Sequence, residues 1–133
     1  MSPNQPANAV PTTAPADGGA STLDAGALDR LRALDPEGRH GVLTRVLTAY
    51  EASLERHLVQ MRAELARPTA AVAAAAHTLK SSSASVGALL LAQACESLEQ
   101  RVRQGAAAQT HDVARLIELA EAALAAVRTI LPR

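Results

Sequence analysis

The chain of 133 residues has almost no aromatic side chains: it contains one tyrosine and neither phenylalanine nor tryptophan. Its hydrophobic residues make up 48% of the sequence and are mostly alanine and leucine. The core of a β-sheet favours β-branched and aromatic side chains instead. The composition therefore argues against a sheet and favours closely packed helices.

The sequence also lacks net charge, paired cysteines and long apolar runs. Its formal net charge is zero, so it has no basic surface to attract nucleic acid or an anionic membrane, and we expect neither as a partner. The single cysteine, Cys95, excludes an internal disulfide and suits a reducing compartment. No apolar run approaches the ~20 residues that cross a bilayer, and the N-terminus lacks the basic and apolar regions of a secretory signal. We therefore expect a cytoplasmic protein.

The N-terminal part differs in composition from the rest of the chain. Residues 1–20 are rich in proline, glycine and alanine and have few large apolar side chains. Such a segment cannot bury enough surface to offset the entropy lost on ordering, so we predict a flexible tail followed by a domain over residues 21–133. A short accessory helix is predicted at the start of this domain, with Ser21 or Thr22 as N-cap and an end before Asp35-Pro36.

Four longer amphipathic patterns follow, with apolar residues three and four positions apart. They predict helices over about 37 or 41 to 67, 69–86, 88–104 and 110–130. Pro68, Gly87 and Gly105 interrupt the patterns, so the connections are short. The sequence thus predicts an all-α fold, an up-down-up-down four-helix bundle with the accessory helix capping one end.

The pattern over residues 69–86 contains the residues of greatest chemical interest. His77 and the only lysine of the chain, Lys80, are three residues apart and so share one side of a helix. His77 lies roughly 140° and Lys80 roughly 80° from the direction of the apolar stripe. The outward side chains near the histidine are all small: Ala70, Ala73, Ala74, Ser81 and Ala84. We therefore expect an exposed imidazole on a nearly flat surface beside one cation.

An exposed imidazole of this kind suits covalent transfer chemistry. A neutral imidazole is a nucleophile near pH 7, and the Lys80 charge would disfavour the imidazolium and attract an anion placed on the ring. The sequence indicates no acid, metal or oxyanion pocket beside His77. The histidine is thus predicted to receive a group from a partner that brings the catalytic apparatus. The plain alternative is a surface histidine without a role.

The other chemistry-bearing residues have simpler interpretations. The four histidines are scattered and form no HExxH pair, so we expect no metal site. The serines at positions 81–83 are interpreted as small packing residues, and Cys95 as a core residue. The apolar stripe of residues 43–65 is interpreted as intramolecular core rather than a dimer interface, so we expect a monomer. The charged residues of the next helix are interpreted as a solvated face: Glu96, Glu99, Arg101 and Arg103.

The region around His77 resembles the histidine-containing phosphotransfer (HPt) domain of bacterial two-component phosphorelays. The resemblance rests on the histidine and lysine three apart, the small residues after them, a Gly-Ala pair and an apolar pattern ending in Leu-Glu. These correspond here to the run 76–88 followed by Leu91, Cys95, Leu98 and Glu99. One departure is Ser81, at a position where the family commonly has glycine. Serine is small enough to keep the face open.

The resemblance implies a phosphocarrier without autonomous catalytic activity. His77 would accept a phosphoryl group from a phospho-aspartate of a receiver domain and pass it to another receiver domain. Lys80 would stabilise charge on the phosphoryl group, and Gly87 would mark the turn between the two central helices. The implied partners are receiver domains of response regulators, a hybrid sensor histidine kinase, or both, docking on the alanine-rich face. The receiver would supply Mg²⁺, and the chain would need no cofactor of its own.

Two other functions are open on the sequence. A helical adaptor could bind a receiver or kinase through the same face without being phosphorylated. An autonomous enzyme is disfavoured because no nucleotide-binding motif and no pair of base and nucleophile is visible. Labelling by a phosphorylated receiver domain distinguishes a carrier from an adaptor.

Overall fold

The helices of the chain form an up-down-up-down four-helix bundle, as the sequence predicts. A computed structural model describes residues 23–132, and this part of the chain contains five helices and no strand. They are α1 (Ala25–Ala33), α2 (Val42–Ala63), α3 (Ala70–Val86), α4 (Leu89–Arg103) and α5 (Thr110–Ile130). Helices α2 and α4 each pack against both α3 and α5, which closes a ring of four around one core. Within the described range, no helix is both long enough and apolar enough to span a membrane.

Helix α1 packs against α2 and α3 at the end of the bundle where α3 turns into α4. The Asp24 amide there donates a hydrogen bond of 2.9 Å to the Gly87 carbonyl oxygen. The predicted N-cap, Ser21 or Thr22, was wrong: Asp24 is the N-cap, and its Oδ2 accepts from the Ala27 amide at 2.9 Å. The apolar stripe correctly predicted which side of α1 is buried, but apolar spacing does not determine at which residue the helix begins. The predicted tail over residues 1–20 lies outside the described residues.

Helix α2 ends at Ala63, four residues before the end at Arg67 that Pro68 predicts. The side chain of Glu64 explains the early end, because its Oε1 accepts from the Thr69 amide at 2.8 Å and from the Thr69 hydroxyl at 2.6 Å. Thr69 in turn caps α3 by accepting from the Ala71 amide at 3.1 Å. These polar contacts close the link between the two helices and fix where α3 begins.

The core between the four long helices is almost entirely aliphatic. It contains one buried polar pair, Tyr50 Oη and Ser83 Oγ, which are 2.7 Å apart and satisfy each other. Burial raises the pKa of Tyr50 to about 12. Cys95 is fully buried, as predicted, and burial raises the pKa of its thiol to about 12.

Candidate functional site

The buried stripe of α3 determines where His77 points. Val72, Ala76 and Leu79 have no exposed surface, so they fix the rotation of the helix about its axis. The His77 side chain consequently faces outward and is 71% exposed. The predicted orientation of this histidine is therefore confirmed.

Small residues surround the exposed imidazole along α3, as the helical geometry predicts. Ala70, Ala74, Ser81 and Ala84 are exposed, and Ala73 is partly exposed. None of these side chains extends further than a hydroxyl group, so another protein can approach the ring closely from this side. These five residues form the alanine face.

The turn after α3 brings α4 back alongside it. Gly87 ends α3 with φ of 87° and ψ of 13°, a left-handed conformation that favours glycine. The Ala88 amide donates to the Ser83 carbonyl oxygen at 2.8 Å, which completes the C-cap. Because the turn is so tight, the two helices run antiparallel in contact, and α4 places three charged side chains beside His77.

Glu99 of α4 holds the imidazole directly. Its Oε2 lies 2.5 Å from His77 Nδ1, and the Glu99 side chain is only 14% exposed. Arg103, one helical turn further along α4, has Nη2 3.5 Å from the same oxygen. The sequence near His77 contains no carboxylate for the imidazole, and the neighbouring helix supplies one.

Lys80 lies between two carboxylates and is less exposed than the helical geometry suggested, at 31%. Its Nζ is 2.7 Å from Glu99 Oε1, an oxygen with almost no solvent contact. It is also 3.0 Å from Glu96 Oε1. Its hydrogen bonds to Glu99 and Glu96, in that order of effect, raise the pKa of Lys80. The only lysine of the chain is thus positively charged and already paired.

The ionisation of Glu99 determines which proton the imidazole carries. The hydrogen bond from Lys80, with that from His77 adding to it, lowers the pKa of Glu99 to about 2 despite partial burial. Glu99 is therefore a carboxylate at neutral pH and can only accept a hydrogen bond. The His77 Nδ1 must then donate, so a neutral ring carries its proton on Nδ1 and its lone pair on Nε2. No side chain in residues 23–132 is hydrogen-bonded to Nε2.

The interpretation of the charged residues of α4 as a solvated face was wrong for Glu99. Its two oxygens contact His77, Lys80 and Arg103. Arg101 does not join this group, because it pairs with the buried Asp112 of α5 at 2.7 Å. The signal that could have identified Glu99 was its place in the Leu-Glu pair of the family pattern, since a charged residue beside a buried leucine lies at the edge of a helix contact.

Groups of three or more potential metal ligands are absent from the described part of the chain. The charged groups around His77 are instead balanced in sign, with two carboxylates facing a lysine and an arginine. They can orient the ring and compensate a charge that appears on it.

Comparison with known proteins identifies the family. The Hpt domain model matches residues 45–129, more than half of the chain, and this range includes the whole of α3 and α4 with His77, Lys80 and Glu99. Neither a curated protein nor a solved structure matches the chain. Hpt domains serve in phosphorelays as phosphocarriers rather than catalysts, and they interact there with receiver domains. This chain belongs to the Hpt domain family.

Proposed function

We propose that the chain carries a phosphoryl group on Nε2 of His77, accepting it from an aspartyl phosphate of one receiver domain and passing it to the aspartate of another. The observation that carries this proposal is an imidazole that is 71% exposed while its Nδ1 is held by Glu99 at 2.5 Å. The nitrogen with the lone pair is thereby presented to a partner in a fixed orientation. Correct positioning of this kind supplies much of the rate of phosphoryl transfer.

The transfer step requires no general base from this chain. The Nε2 lone pair of His77 attacks phosphorus, an N–P bond forms, and the P–O bond to the partner's aspartate breaks. The bonding electrons leave with the aspartate carboxylate. Because Nδ1 keeps its proton, the ring becomes cationic as the N–P bond forms, and Glu99 lies where it compensates that charge. Transfer onward is the reverse of this step toward a second aspartate.

The remaining site residues have supporting roles in this proposal. Lys80 and the ring share Glu99 as a partner, and in this proposal Lys80 moves from a carboxylate partner to a phosphoryl oxygen. The alanine face lets the loops of a receiver approach for in-line attack. The receiver brings its own acidic pocket and Mg²⁺, and this chain supplies the nucleophile.

Labelling with a phosphorylated receiver domain tests the proposal. A panel of ³²P-labelled receivers is incubated with the wild-type chain, with His77→Gln and with His111→Gln. His111 is a suitable control because it is 78% exposed and lies on α5. We expect acid-labile, base-stable label on wild type and His111→Gln and none on His77→Gln. Label persisting on His77→Gln would refute the site.

The same experiment distinguishes the adaptor. Stable binding of a receiver with no label on the chain from any phosphorylated donor would establish an adaptor and refute the carrier. The alanine face is tested with Ala73→Arg and Ala84→Arg, which should slow labelling while helicity stays unchanged. Ala125→Arg on the exposed side of α5 is the matched control, and equal rates in all three variants would rule out docking on this face.

A further inference from the structure

Lys80 is bound in a way that opposes the charge-stabilising role proposed for it. Its ammonium group is shared by Glu99 at 2.7 Å and Glu96 at 3.0 Å. To bind a phosphoryl oxygen on His77, it must weaken at least one of these contacts. The two carboxylates therefore compete with the phosphoryl group for one cation.

The two carboxylates are held to different degrees. Glu99 is anchored by His77, Lys80 and Arg103 and is only 14% exposed. Glu96 is 43% exposed, and within residues 23–132 its polar partners are Lys80 and the Gln100 amide, which lies 2.6 Å from Oε2. Loss of the Glu99 contact would disturb the orientation of the ring. Loss of the Glu96 contact changes only the charge around Lys80.

The charges around His77 cancel before a phosphoryl group arrives. Lys80 and Arg103 contribute two positive charges, and Glu96 and Glu99 two negative ones. A phosphoryl group adds roughly −1.5 to −2. Apart from the cationic ring, the side chains around the group are therefore neutral in sum, so Lys80 holds the group less strongly than an unpaired lysine would.

We infer that Glu96 is a positioning residue that keeps Lys80 partly occupied and so limits how strongly His77 retains the phosphoryl group. The inference rests on the proposed function, because it concerns the retention of a group on His77. A carrier must give up what it accepts, and a glutamate that competes for the only lysine favours release to the next aspartate. Whether a given receiver gains or loses the phosphoryl group then depends on how its own charges alter the competition for Lys80.

The test uses Glu96→Gln in the full chain. Glutamine keeps the shape and the contact with Gln100 but removes the negative charge. The equilibrium between phospho-receiver and phospho-His77 is measured with the labelled receiver that phosphorylates wild type, together with the rate of back-transfer. We expect the equilibrium to shift toward phospho-His77 by about two- to fivefold, the range of an exposed ion pair, and back-transfer to slow by a similar factor. Glu118→Gln, an exposed glutamate of α5 paired with Arg115, should leave both unchanged.

A second background shows whether Glu96 acts through Lys80. In Lys80→Ala the effect of Glu96→Gln should disappear, since the cation for which Glu96 competes is gone. Three results would each overturn the inference. The Glu96→Gln equilibrium could equal that of wild type, it could shift toward the receiver, or its shift could be the same with and without Lys80→Ala. In any of these cases the proposed function still holds if wild type is labelled and His77→Gln is not. Unlabelled wild type would instead refute both.

Discussion

The close approach of α1 to Gly87 predicts that alanine at this position destabilises the domain more than backbone strain alone can explain. A Cβ added at Gly87 would lie 2.5 Å from the Asp24 nitrogen and 3.0 Å from the Asp24 carbonyl oxygen. Those atoms belong to the backbone and cannot move aside as a flexible side chain would. The glycine is thus required both for its φ of 87° and for the space it leaves.

The chain offers a control that separates these two requirements. Gly105 has φ of 103°, and a Cβ added there would meet nothing within 4 Å. A left-handed alanine costs roughly 1–2 kcal/mol in either place. Overpacking against Asp24 adds about 1–3 kcal/mol for Gly87→Ala only. We expect total losses of about 2–5 kcal/mol for Gly87→Ala and about 1–2 kcal/mol for Gly105→Ala.

Urea unfolding followed by circular dichroism measures both losses, and hydrogen exchange locates the difference. The Asp24 amide, which donates to the Gly87 carbonyl oxygen at 2.9 Å, should lose protection in Gly87→Ala and keep it in Gly105→Ala. Equal losses of stability in the two variants, with the Asp24 amide equally protected, would show that Asp24 does not clash with a Cβ at position 87. The space that Gly87 leaves for Asp24 would then have no role in stability.

Three further predictions concern the core and the carboxylate beside His77. Tyr50→Phe should cost about 1–2 kcal/mol in unfolding free energy because it leaves the buried Ser83 hydroxyl unpaired, and adding Ser83→Ala should cost less than the sum of the single changes in the same urea titration. Cys95, whose pKa burial raises to about 12, should react with a thiol reagent at pH 8 only as fast as the protein unfolds; rapid reaction under native conditions would contradict its burial. Because the pKa of Glu99 is lowered to about 2 by Lys80 and then His77, its contribution to stability should be complete above the ordinary glutamate value of ~4.3 and decline as pH falls toward 2. The side-chain ¹³C signal of Glu99 should accordingly show no titration between pH 7 and 4, and a midpoint above 4 would refute the pairing.

The bundle and the side of each helix that is buried could be predicted from the sequence because they depend on apolar spacing. Leu47, Leu54 and Leu58 are buried in α2, as their separation by seven and four residues indicates. Helix ends were less predictable, since they depend on single polar contacts. Helix α2 ends before Arg67, where the Glu64 side chain accepts from the Thr69 amide. The periodic spacing of apolar residues does not predict such a hydrogen bond.

At the candidate site, too, the arrangement within one helix was predictable and the contact between two helices was not. His77 and Lys80 are three residues apart on one helix, so their common side follows from helical geometry alone. The contact between His77 and Glu99 joins residues 22 positions apart. It depends on the turn at Gly87 and on the axial register of α3 against α4, which spacing within either helix does not specify.

That register lets Gly87 influence the orientation of the His77 ring without any contact between them. The turn sets which residue of α4 lies opposite the imidazole, and a shift of one residue would rotate Glu99 away by about 100°. Ring orientation, the proton on Nδ1 and the shorter of the two Lys80 ion pairs all depend on this one carboxylate. An imidazole presented by one helix is therefore oriented by the next, and the tight turn between them is part of the candidate site.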